Sequence, residues 1–298
     1  MAQAAKDLVR KADQKLQSGG GALKFLFGGP NYSEAQDMYT QAANQFKLAK
    51  EWQEAAKCYA QCAFCANKEG DLNGEASNYM EAGHVLKKIS TLQAVQEYEK
   101  AISIYNANGK FQQSGKLLLQ IAELFENERL HHDQTKDYYR RAAEMFDLDE
   151  HSKSNRSKCL LKVAEYSAKD GEIQEAIKLF EAEGEKALQV TTLAFGAKEH
   201  FLKAGILHLV QGDTVSINLA VDRYSALDPR FGGSREGELL QNLAEAFEGQ
   251  DVDAFVEKLQ DYDQVTKLDP WKTEMLVKVK ESMQPNASDV LSGAVDLT

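Results

Sequence analysis

A bulky side chain returns about every twenty residues through the first 180 positions of this chain. It falls at Tyr39, Tyr59, Tyr79, Tyr98, Leu118, Tyr139, Leu160 and Phe180, with steps of 20, 20, 19, 20, 21, 21 and 20. Small residues sit beside the beat, at Ala35, Ala42 and Ala43, then Ala55, Ala56 and Ala63, then Ala94 and Ala101. A fixed period of this size implies one structural unit stacked repeatedly. Each step fits a helix of about 15–17 residues and a short turn, so paired helices give a unit of about 40 residues, longer than the tetratricopeptide period of about 34.

Local signals agree with helices. Tyr39, Ala42, Ala43 and Phe46 share one helical face, as do Tyr98, Ala101, Ile102 and Tyr105. Ala35/Tyr39, Ala55/Tyr59 and Ala94/Tyr98 repeat an Ala-x3-Tyr spacing in which a small residue admits a neighbouring helix and the ring fills the gap. Gly70-Asp71, Gly109-Lys110 and Gly171-Glu172 mark turns, because glycine accepts the left-handed conformation that closes a helix. No proline falls between Asn31 and Asp228, which leaves a long stretch open to helix.

Past Thr192 the beat loosens. Helices are expected near 193–211, 214–226, 234–248, 251–262 and 268–283, with turns at Asp228-Pro229 and Asp269-Pro270. The fold class is therefore all-α. A tetratricopeptide-like array of helical hairpins over 1–190, including an apolar loop at 18–30, is capped by a helical bundle over 191–283 and followed by a flexible tail at 284–298.

Charge restricts the partners. The net charge is −11 over 298 residues, a poor match to nucleic acid, whose binding rests on phosphate neutralisation. From Asp228 to Thr298 there are 15 acidic and 7 basic residues, so most of the excess lies at one end. No apolar run of membrane-spanning length occurs. A reducing cytoplasm suits the four cysteines. Cys58, Cys62 and Cys65 share a helix face without a fourth metal ligand, as small hydrophobes in a seam would. His131-His132 is expected in a turn, and no histidine spacing or nucleophile motif suggests an active site, so no enzyme and no cofactor are expected.

Phe25-Leu26-Phe27 stands out inside the 18–30 loop, between two glycine groups and beside Lys24. These side chains either fold back onto the first helix pair or enter a bilayer with Lys24 at the headgroups, a weak and reversible anchor by itself. Lys110, Lys116, Lys158 and Lys198 lie within the array. They either solvate helix faces or meet an acidic partner across a broad surface.

Phe25-Leu26-Phe27-Gly28-Gly29 followed by Tyr39-x2-Ala42-Ala43-x2-Phe46 resembles the soluble NSF attachment proteins of the α/β type. So do Ser157-Lys158-Cys159-Leu160-Leu161-Lys162, Ala197-Lys198-Glu199-His200-Phe201, Asp228-Pro229-Arg230-Phe231 and Leu268-Asp269-Pro270-Trp271-Lys272. The resemblance runs through nearly the whole chain in order. It implies a non-enzymatic, cytoplasmic and peripherally membrane-associated adaptor. Several copies would wrap a SNARE four-helix complex and recruit the NSF hexamer that takes it apart. It further implies membrane contact through Phe25, Leu26 and Phe27, SNARE contact through Lys110, Lys116, Lys158, Lys198 and Arg235, and NSF contact through Glu245, Glu248, Asp251, Asp253 and Leu297. Lys110 stands where relatives often carry arginine. The tail from Asp289 to Thr298 holds only Asp289 and Asp296 where relatives have an acidic run. The competing expectation is a generic tetratricopeptide scaffold that binds peptide segments in a narrower groove.

Overall fold

The computed structural model describes residues 2–17, 30–129 and 132–284. Among these residues the fold is all-α, with fourteen α-helices, two 3-10 turns and no strand. The chain divides into two compact units, one up to Arg156 and one from Ser157 onward.

The first unit is a run of helical hairpins: α1 (Ala2–Gln17), α2 (Tyr32–Leu48), α3 (Trp52–Glu69), α4 (Leu72–Leu86), α5 (Thr91–Ala107), α6 (Phe111–Glu128) and α7 (His132–Asp147). Each helix packs on the next one in the chain. The twenty-residue beat lines the seams. Tyr39, Tyr59, Tyr98, Leu118 and Tyr139 are buried, whereas Tyr79 is only half-buried. Tyrosine suits these positions because the ring fills a gap while its hydroxyl reaches a polar group. Tyr39 donates to Asp13 at 2.5 Å and Tyr139 to Glu126 at 2.6 Å, while Tyr98 accepts from Gln120 Nε2 at 3.1 Å.

Close approach is bought by glycine. A Cβ on Gly83 would lie 2.4 Å from the Tyr98 ring, and one on Gly115 would lie 2.8 Å from Phe146. The expected turn glycines Gly70, Gly109 and Gly171 all take positive φ. Lys50, Arg129 and Gln250 do the same without being glycine, so those turns carry no glycine signal in the sequence. His132 corrects the sequence reading: it is exposed, but it begins α7 and is not part of a turn.

The helix α8 (Lys153–Lys169) contains the division between the units, and its beat residue Leu160 is half-buried. The second unit continues with α9 (Ile173–Leu188), α10 (Ala197–Gln211), α11 (Thr214–Leu227), α12 (Arg235–Glu248), α13 (Val252–Val265) and α14 (Pro270–Met283). α10 is its hub, touching α9, α11, α12 and α14. The sequence Phe201-Leu202-Lys203-Ala204-Gly205-Ile206-Leu207 is apolar nearly all round, as a central helix must be. Lys203 is the polar exception and reaches Glu165 at 2.6 Å. Ser234, Asp251 and Asp269 cap α12, α13 and α14 by accepting from main-chain N–H groups at 2.8–3.1 Å. Sequence-based boundaries agree to within three residues, except that 194–196 form a separate 3-10 turn before α10.

Candidate partner-binding surfaces

The basic positions fall into two groups, one in each unit. Lys110 occupies the N-cap of α6 without capping it, and its Nζ donates instead to Asn73 Oδ1 near the start of α4. Lys116 lies six residues further along, about 1.7 turns. Its neighbours Ser114, Gly115, Leu117 and Leu118 are buried, so Lys116 points outward, where its Nζ donates to Gln112 at 3.2 Å. At about 100° per residue the two lysines stand roughly a third of a turn apart around α6.

In the second unit Lys158 is exposed on α8, beside the buried Cys159. Lys198 is the second residue of α10 and Arg235 the first of α12, and Lys198 pairs with Glu236, the residue after Arg235. Lys198 Nζ lies 2.9 Å from Glu236 and 4.4 Å from the centre of the Phe195 ring. Glu236 is buried, although its Oε2 lacks the alignment for a hydrogen bond, so the contact is an ion pair by distance alone. Arg235, the next residue, lays its guanidinium over Tyr262 at 5.4 Å and donates to the Tyr262 carbonyl at 3.4 Å. Phe195 itself is 75% exposed.

The acidic positions converge. Glu245 and Glu248 occupy the last turn of α12, and Asp251 and Asp253 the start of α13; all four are exposed. Gln250 at φ 54° turns the chain between them, and Asp251 N donates to Ala246 O at 2.9 Å. Asp251 stabilises α13 as its N-cap. Glu245 and Glu248 do the opposite, since carboxylates at a helix C-terminus oppose the macrodipole and no base shares that turn. They are therefore poorly explained by stability.

Among the described residues no cluster of His, Cys, Asp and Glu is arranged to hold a metal. Cys58, Cys62 and Cys65 are buried in α3, and burial pushes their thiols up to about 12, 11 and 11, away from reactive thiolate. No described helix is long and apolar enough to cross a membrane. Phe25, Leu26, Phe27 and Leu297 lie outside the described residues.

A family model described as "Soluble NSF attachment protein, SNAP" matches residues 3–284. The chain belongs to this family. It is 36% identical over 282 residues to an alpha-soluble NSF attachment protein of Vitis vinifera, covering 95% of each chain. A beta-soluble NSF attachment protein of Bos taurus is 35% identical, with 94% of each chain covered. A probable vesicular-fusion protein sec17 homolog of Schizosaccharomyces pombe is 31% identical, covering 95% of this chain and 97% of that one.

Within this SNAP-family chain, Glu236 and Phe195 are the neighbours that sequence reasoning did not single out. Both sit beside a position that was named, Glu236 after Arg235 and Phe195 three before Lys198. Their adjacency in sequence was visible. The pairing of Lys198 with a carboxylate 38 residues away was not.

Proposed function

We propose that this chain is an adaptor for SNARE disassembly. Several copies bind an assembled SNARE four-helix complex, then recruit and stimulate the ATPase NSF, which pulls the bundle apart. Family membership over residues 3–284 carries the reading, and the four exposed carboxylates gathered at the turn between α12 and α13 support it.

Lys110, Lys116, Lys158, Lys198 and Arg235 face the SNARE complex. Each exposed charge contributes about 0–1 kcal/mol, so affinity comes from many contacts and is salt-sensitive. Glu245, Glu248, Asp251 and Asp253 meet NSF, together with Leu297. Phe25, Leu26 and Phe27 touch the membrane and hold a cytoplasmic protein at its surface. Several copies with one weak anchor each reach useful avidity. In functional terms the array extends through residue 190, the bundle over 191–283 is the motor-facing part, and 284–298 is a tail. The chain contributes binding and positioning and no catalysis, and its acidity disfavours nucleic acid.

ATP-dependent disassembly of a SNARE complex by NSF, with this protein present or omitted, tests the proposal. Disassembly that depends on the protein is expected. Failure with an NSF shown to be competent would overturn it. Liposome flotation of Phe25→Ser/Phe27→Ser against the natural sequence tests the membrane contact, and equal flotation would remove it.

A further inference from the structure

Among the described residues, two of the exposed apolar patches outside the surfaces described above carry opposite charge. The first lies on one edge of the first unit, where the α2–α3 turn approaches the α4–α5 turn. Leu48, Ile89 and Leu92 are 72%, 50% and 53% exposed. An open hollow of about 320 Å³ beside them is lined by Lys50, Glu51, Trp52, Gln53, Glu54 and Ile89. Lys50, Lys87 and Lys88 are exposed around it, and Glu54 is held by Lys57 at 2.6 Å. This edge is basic in a chain whose net charge is −11.

The second patch is the outer face of α11. Val215 and Leu219 are 67% and 64% exposed, and Asp222 and Ala226 continue the same face at helical spacing. Arg223 is the sole base of α11, and Glu181 holds its guanidinium. Asp213 stands at the N-cap. The stripe is apolar and acidic.

We infer that the basic edge of one copy receives the α11 stripe of a second copy. Val215 and Leu219 enter the hollow beside Trp52 and Ile89, while Asp222 and Asp213 face Lys50, Lys87 and Lys88. An anionic bilayer would also attract the edge, because Trp52 and the lysines suit headgroups. It would leave the acidic stripe without an occupant, whereas a second copy covers both patches with complementary charge. Because the two surfaces differ, the contact runs head to tail, and its repetition about an axis closes a ring or climbs as a helix. Such a contact must be weak in the free chain, since a strong one would polymerise it. It gains force once copies are held side by side, at effective concentrations in the millimolar range. That use rests on the adaptor reading, but the contact between copies does not.

A photo-crosslinking residue at Ile89 in the full chain, at about millimolar concentration, tests the contact without SNAREs or NSF. Dimers are expected, with crosslinks mapping to 215–226. Their yield should fall at least about tenfold in Lys87→Glu/Lys88→Glu or in Asp222→Lys, each a change of about 1.4 kcal/mol or more. Yield should recover when the first variant, carrying the crosslinker, is mixed with the second. Both variants alter exposed side chains, and circular dichroism checks that each is folded. Absence of dimers, crosslinks mapping elsewhere or within one chain, or yields indifferent to both charge reversals would each overturn the inference. Loss of SNARE disassembly with crosslinking intact would instead count against the adaptor reading alone.

Discussion

The Trp271 indole donates to the Glu165 carbonyl at 3.0 Å, joining α14 to α8 across 106 residues of sequence. The same ring meets Phe180 edge-on at 5.4 Å and lies under Lys203 at 5.1 Å. Trp271→Ala should cost about 3–5 kcal/mol, whereas Trp271→Phe should lose mainly the hydrogen bond, about 0.5–1.5 kcal/mol. Urea denaturation separates the two. Equal losses would show that the ring's volume is not what holds α14 down.

Glycine substitutions should diverge in sign. Alanine at Gly83 or Gly184 gains about 1 kcal/mol of helix propensity. It also drives a Cβ to 2.4 Å from Tyr98 or 2.7 Å from Phe201, both in buried seams. Overpacking of about 1–3 kcal/mol should prevail. Gly196 has open space around it and ordinary φ, so Gly196→Ala should stabilise by about 0.4–1 kcal/mol. Thermal midpoints moving the same way in all three variants would refute the interlock.

Acid sensitivity should centre on Glu181. Burial alone would raise its carboxyl, but His208, Tyr224 and Arg223 outweigh that and hold it at about 2, below the ordinary 4.5. A depressed folded value means the stabilisation is complete above the unfolded value and disappears as pH falls from about 4.5 to 2. Glu181→Gln should cost about 1–3 kcal/mol at pH 7 and flatten the decline over that acid window. Stability measured against pH for both proteins checks the sign, since parallel curves would remove Glu181 from the account.

Charge reversal should separate binding from folding at some lysines and not at others. Lys116→Glu/Lys158→Glu alters two exposed positions, so SNARE-complex affinity should fall by up to about tenfold, with the difference shrinking at high salt. Lys198→Glu would set a second carboxylate against the buried Glu236 and should lower stability as well. Pull-down and thermal midpoint measured together on each variant make the comparison. A fully stable Lys198→Glu would mean that Glu236 has another partner.

On the acidic turn, stability and function should move in opposite directions. Glu245→Lys/Glu248→Lys places cations at the C-terminus of α12 and should stabilise by about 0.3–1 kcal/mol per site, while NSF-driven disassembly falls. Asp251→Ala removes an N-cap and should cost about 1 kcal/mol. Unchanged disassembly in the double lysine variant would take Glu245 and Glu248 out of the motor contact.

Local rules made much of the fold legible. Tyr39, Tyr59 and Tyr98 announced their seams because one repeated unit imposes one repeated residue choice, and Asp71, Ser234 and Asp269 stand where helix caps belong. Tyr79 and Leu160 keep the beat yet stay half-buried, since periodicity reports spacing and not how fully the neighbouring helix covers a site. The buried ion pairs were not legible. Lys272 is nearly inaccessible and reaches Glu199, 73 residues away, at 2.6 Å. Nothing local to either residue distinguishes that pair from solvated charges. Lys110, Lys116, Lys158 and Lys198 stand out within the array and take a SNARE-facing role only from the resemblance, while the structure alone shows Lys110 held by Asn73 and Lys198 by Glu236.

α10 carries Lys198 as its second residue and is enclosed by α9, α11, α12 and α14. A force applied at Lys198 is therefore shared among four neighbouring helices and cannot peel away a lone strand of contacts. Mechanical yield of this unit should require its whole core to give way together.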